Sequence, residues 1–160
     1  MKKSFILFLS LLSLLVACEG EKKQKVDIKP GAISGIEECA LDGMIVANYP
    51  GPKAQLIYKS DGKKVFFCET KELFYYYAEP GKEAQVAALY VQNTAATDWK
   101  KPMGGWIDAK KAYYVVGASI KGSMGPTYAP FVDRSSARPF IKEYGGEIKT
   151  FDEVMKMIGG

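Results

Sequence analysis

The chain contains no histidine. That absence removes the Ser-His-Asp and Cys-His catalytic pairs and every zinc site that needs an imidazole. Cysteine is scarce: Cys18, Cys39 and Cys68 are the only three, fewer than a zinc site made of thiols alone would want. No apolar run reaches the roughly 20 residues of a comfortable transmembrane helix; the run from Phe5 to Val16 stops short. The formal charge of +4 is too small to argue for nucleic acid, and no basic motif or aromatic RNA platform accompanies it. Any metal must be held by Cys and Met sulfur or by oxygen.

What is present at the start is a leader. Lys2 and Lys3 precede the apolar run, the layout of a secretory signal peptide. The run ends Leu15-Val16-Ala17-Cys18, which resembles a bacterial lipobox. Residues 1–17 are expected to be cut off, leaving Cys18 as the lipidated N-terminus. Several acyl chains anchor stably, at about 0.8 kcal/mol per buried methylene. Residues 18–34 are charged and poor in aromatics, so they read as a flexible tether. Glu19 after the lipidated cysteine leans toward the outer membrane, with the folded part facing the periplasm.

About 125 residues remain, the size of one domain or two small lobes. "MIVANYP" reads as a strand ending at Pro50. "AQLIYK" and "KVFFCE" flank the turn signal "SDGK" and form a hairpin. "TKELFYYYAE" is a helix capped by Thr70, with Leu73, Phe74 and Tyr77 on one face. "AQVAALYVQN" returns as a strand. The order then repeats: "KAYYVVGASI" and "PTYAPFVD" are strands, and "SSARPFIKEYGG" is a helix with Ser135 near its cap. Pro139 should shorten or kink that helix. "GEIKTF" is the return strand, and Thr150 with Glu153 has capping-box spacing for a last helix. The fold class is α+β, with two small ββαβ lobes over residues 35–97 and 98–160, packed together because neither half buries much core alone.

The stretch "CALDGM" admits two readings. In an oxidising compartment Cys39 and Cys68 would pair, which gives a structural or binding lipoprotein with a Cys39–Cys68 disulfide. Alternatively thiolate and thioether form a soft ligand set, which selects Cu(I). Methionine is ordinarily core filler, as expected for Met155 and Met157. Met44 and Met124 instead lie in glycine-flanked "DGMI" and "GSMGP".

A lipobox, the Cys39-to-Met44 segment, "FFCETKELF", "GWIDAKKAYYVVGASIKGSMGPTYAPF" and "EYGGEIKTFDEV" follow one another. Together they resemble the NosL family, accessory lipoproteins of nitrous oxide reductase. The resemblance implies two ββαβ lobes related to the organomercurial lyase MerB. It also implies a metallochaperone carrying one Cu(I) per monomer to nitrous oxide reductase or to its copper-site assembly machinery, an ABC-type transporter complex. Cys39 matches the family's copper-binding cysteine and Met124 its second-lobe methionine; Met44 and Asp42 match the first-lobe motif. Copper would then sit in the cleft between the lobes. Family members often carry histidine near that methionine, where this chain has "GPTYAPF". The lyase relation raises an enzyme built on Cys39, Cys68 and Asp42; the close NosL pattern argues against it, and no catalytic residue is expected.

Overall fold

The protein is described by a computed structural model over residues 26–159. Cys18 lies outside the described residues. Among them, no helix is long and apolar enough to cross a membrane.

The strands and helices run β1 (Ala54–Tyr58), β2 (Lys64–Phe67), α1 (Thr70–Tyr77), α2 (Lys82–Gln85), β3 (Val86–Gln92) and β4 (Trp106–Asp108), then β5 (Tyr113–Val116), β6 (Lys121–Gly122), β7 (Gly125–Pro126), β8 (Ala129–Phe131), α3 (Arg134–Tyr144), β9 (Glu147–Thr150) and α4 (Phe151–Gly159). The first sheet has the order β2-β1-β3-β4 and the second β8-β5-β9, all pairs antiparallel. In each lobe the opening strand is central, the second strand leads into a helix, and the third returns on the other side. The molecule is therefore α+β with two ββαβ lobes. β4, from the 98–160 half, completes the sheet of the first lobe.

One core joins the lobes. Leu73, Phe74 and Tyr77 of α1 are buried, as their spacing predicts. Phe74 meets the second-lobe Tyr114 ring edge-on at 4.9 Å and lies 5.0 Å from Phe151 of α4. The next residue along β5, Val115, points the other way into a smaller cluster with Ala129, Phe131 and Ala137, as strand alternation requires.

Local signals misled at four places. "MIVANYP" is no strand: only Ile45 bridges Glu38, and Val46–Asn48 form a 3-10 turn before Pro50. α1 is capped by Glu69, with Glu72 reaching back to its N–H at 3.1 Å, while Thr70 turns inward to donate to Pro52 O at 3.3 Å. By contrast α3 starts where expected, with Ser135 beside its cap: Asp133 accepts the Ser136 N–H at 2.8 Å and the Ser135 hydroxyl at 2.6 Å. Pro139 does not end α3; the carbonyl it leaves without a partner belongs to exposed Ser135, where water can serve it. Of the two C-terminal methionines, Met155 packs on the core but Met157 is exposed.

Candidate metal centre

"CALDGM" folds into a closed loop. Cys39 N–H donates to Met44 O at 2.8 Å and Gly43 N–H to Cys39 O at 2.9 Å. Asp42 Oδ1 accepts the Met44 N–H at 3.0 Å. Gly43 stands at φ 75°, a left-handed conformation that glycine enters without a Cβ penalty. The loop docks on the edge of β2, where Cys39 bridges Phe66 and Ala40 N–H donates to Phe66 O at 2.8 Å. Upstream, the Glu37 carboxylate gathers the Ser34 hydroxyl at 2.6 Å and the Ser34 and Gly35 N–H groups at 2.7 and 3.0 Å. The Ser34 hydroxyl is the main reason its pKa falls to about 2.

Docking the loop buries Cys39 against Cys68, the residue between β2 and the cap of α1. The two sulfurs and an Asp42 carboxylate oxygen lie within 4.8 Å of one another. Both cysteines are free thiols. The Cys39 thiol donates to Glu72 Oε2 at 3.3 Å, the same oxygen that holds the Glu69 N–H. A hydrogen bond from Cys68 is the main influence holding Cys39 below the ordinary thiol range. Giving that bond, together with burial, pushes Cys68 far up. Burial also raises Glu72.

A lysine lies beneath the pair. Lys53 is 1% exposed, and its ammonium donates to Tyr49 O at 2.7 Å, Pro50 O at 3.2 Å and Cys68 O at 3.0 Å. Burial lowers it to about 8, against the pull of Cys68, Glu69, Glu72 and Cys39. Gln92 fixes its backbone, accepting the Lys53 N–H at 2.9 Å. The pocket thus combines two adjacent sulfurs with a fixed positive charge, an arrangement that suits a soft monovalent cation bound by thiolates.

The residues singled out in the sequence fall at different distances from this centre. Cys39 and Asp42 are in it. Met44 is half-buried against the same apolar cluster as the two cysteines. Met124 sits at the tip of the β6–β7 hairpin, 60% exposed, and its backbone N–H donates to Glu69 Oε1. Cys68, expected as a disulfide half or as a thiol of the lyase-like reading, joins Cys39 and Asp42 in the group that could hold a metal. Its position in "FFCETKELF", one residue before the cap of α1, carries no metal signal of its own; only the docking of the Cys39 loop brings a second sulfur to it.

The family model described as NosL matches residues 30–158. Copper-binding lipoprotein NosL of Stutzerimonas stutzeri is 36% identical over 151 residues, spanning 91% of this chain and 78% of that relative. Copper-binding lipoprotein NosL of Achromobacter cycloclastes is 31% identical over 157 residues, spanning 94% and 79%. The crystal structure of the copper chaperone NosL from Shewanella denitrificans matches with a TM-score of 0.76 at 37% identity, covering 81% of this chain and 97% of that one.

Proposed function

The chain belongs to the NosL family, and from that premise we propose that it is a lipid-anchored metallochaperone. In this proposal it binds one Cu(I) at the Cys39–Cys68 pair and hands it to an extracytoplasmic copper enzyme. Like its relatives, it is not an enzyme. The observation that carries the proposal is the grouping of two buried sulfurs within 4.8 Å, the other soft donors among the described residues being thioethers.

Cys39, already inclined to ionise, supplies the thiolate that neutralises Cu(I). Cys68 supplies the second sulfur. Two thiolates on one Cu(I) leave a net negative charge, and the Lys53 ammonium balances it inside the pocket. The Met124 thioether, uncharged and facing solvent, is the third donor and the one an incoming protein can replace. Met44 lines the pocket as a reserve thioether. The Asp42 oxygen is a hard donor for a soft ion, so its part is to close the loop that carries Cys39. The recipient, on the family resemblance, is nitrous oxide reductase or its transporter-type assembly complex. The anchor is Cys18, with the folded part in the periplasm and the outer membrane as the holding membrane.

An anaerobic Cu(I) titration against a chromogenic competitor tests the site. One Cu(I) should bind per chain; Cys39→Ala should abolish tight binding, and Cys68→Ala should weaken it. A Cys39→Ala protein that binds as tightly as the native chain would refute it. The closeness of the two sulfurs also favours the disulfide reading. Thiol counting on protein isolated under oxidising conditions separates the two, since the disulfide form has no free thiol and takes up copper only after reduction.

A further inference from the structure

Building on the Cys39–Cys68 site above, we propose that Glu69 is the positioning residue that holds Met124 beside the thiol pair. It would thereby determine whether the centre has two sulfurs or three.

Glu69 directly follows Cys68 and is fully buried. Its Oε1 accepts the Ser123 hydroxyl at 3.0 Å and the Met124 N–H. Those donors belong to the second lobe, and they are the two residues at the tip of the β6–β7 hairpin. The hairpin has only two residue pairs of its own, Lys121 with Pro126 and Gly122 with Gly125. A ribbon that short has little stability by itself, so its position is set by what it docks on. Two exposed contacts steady its base: Trp99 Nε1 donates to Lys121 O at 3.0 Å and Lys71 Nζ to Pro126 O at 2.8 Å. At the tip, the hold comes from buried Glu69. Gly122 is shaped to that contact, because a Cβ there would lie 2.6 Å from Glu69 Oε1 and 3.0 Å from Thr127 Cγ2.

The second lobe supplies an internal control. Asp133 occupies the same place as Glu69, between the second strand of its lobe and the following helix. It is exposed, and its carboxylate serves Ser135 and Ser136 of its own helix. Capping alone is thus achieved with a short, solvated acid. Glu69 is instead buried, with Oε2 left unpartnered, a cost that helix capping does not require. What the longer, buried side chain adds is the grip on Ser123 and Met124. The Met124 side chain remains exposed and belongs to none of the three apolar clusters, so it can turn to a metal without vacating a core position.

The test uses the full chain in detergent, loaded with less than one equivalent of Cu(I). Sulfur scatterers per copper are counted by X-ray absorption, and affinity is measured by competition. The native chain and Glu69→Gln, which keeps the acceptor oxygen, should show three sulfurs. Met124→Leu and Glu69→Ala should show two, with equal losses of affinity, and the double variant should lose no more than either alone. Where Glu69→Ala fails to fold, Gly122→Ala and Ser123→Ala loosen the same contact from the hairpin side and leave the α1 cap intact. Three sulfurs at native affinity in these variants would overturn the proposal, as would a Met124→Leu protein that still shows three. Failure of the underlying site looks different: Cys39→Ala and Cys68→Ala would then bind as the native chain does.

Discussion

Replacing Lys53 with methionine asks how the thiol pocket carries its charge. The substitution keeps most of the apolar stem and removes the ammonium from under Cys68. Cys68 O is buried and loses its donor, at about 1–3 kcal/mol, while the part-buried Tyr49 and Pro50 carbonyls can turn to water, at about 0.5–1.5 kcal/mol each. Against this stands the burial of the charge itself. The ammonium falls from 10.5 to about 8, and at ~1.4 kcal/mol per unit removing it returns ~3 kcal/mol at pH 7. The net expectation is a change between about 1 kcal/mol of gain and 3 of loss, small beside the cost of breaking a buried ion pair. The pH dependence is sharper. Between about pH 8 and 10.5 the folded chain has released the Lys53 proton and the unfolded chain has not. Folding is therefore increasingly favoured as pH rises through that window. Below about pH 8 the penalty on the charged form is present in full. Urea unfolding of both apo, reduced proteins from pH 7 to 10 should show the native chain gaining up to ~3 kcal/mol on the variant. A constant difference across that range would mean that Lys53 stays charged and solvated, and the reasoning would fail.

Three further outcomes are expected. Tyr114→Phe removes a buried hydroxyl that donates to Ala109 O at 2.5 Å; it should cost about 1–2 kcal/mol in thermal or chemical unfolding without changing copper binding. Glu37, at about 2 in the fold against an ordinary 4.5, contributes stability that is complete above about pH 4.5 and lost as pH falls toward 2. Glu37→Gln should thus be less stable at neutral pH, with the gap closing on acidification, and a gap independent of pH would contradict the assignment. Diamide should convert Cys39 and Cys68 to a disulfide and abolish Cu(I) uptake until a reductant is added; oxidised protein that still binds one Cu(I) would show that the pair is not the site.

The parts of the fold that the sequence made legible are those decided locally. "SDGK" between two β-prone runs does make the β1–β2 hairpin, and the apolar face of α1 is the buried one. β4 could not be read, because three residues, "WID", become a strand only by pairing with β3. The β6–β7 hairpin was equally hidden in two-residue strands flanked by glycine. At the site, Cys39 and Asp42 were marked by the resemblance of the Cys39-to-Met44 segment to the NosL motif. Cys68 becomes a site residue only through a loop that docks from outside the sheet. Glu69 looked like the flank of a helix, since its partners Ser123 and Met124 are 54 and 55 positions away. A contact of that range leaves no periodic trace in either segment.

The lobes match in strand order but not in one connector. In the first lobe, residues 59–63 turn directly from β1 to β2, while in the second, residues 117–128 carry the β6–β7 hairpin between the corresponding strands β5 and β8. The same strand order is thus built around connectors of different length. In the first lobe the turn is plain and the two cysteines lie near the start of α1; in the second the longer connector is an arm whose tip reaches Glu69 of the first lobe. On the proposal that Met124 supplies the third sulfur, donor choice at that position is detached from the sheets. An imidazole, a carboxylate or a second thiol could be written into the arm to retune the cation it accepts, while both ββαβ units keep the same packing.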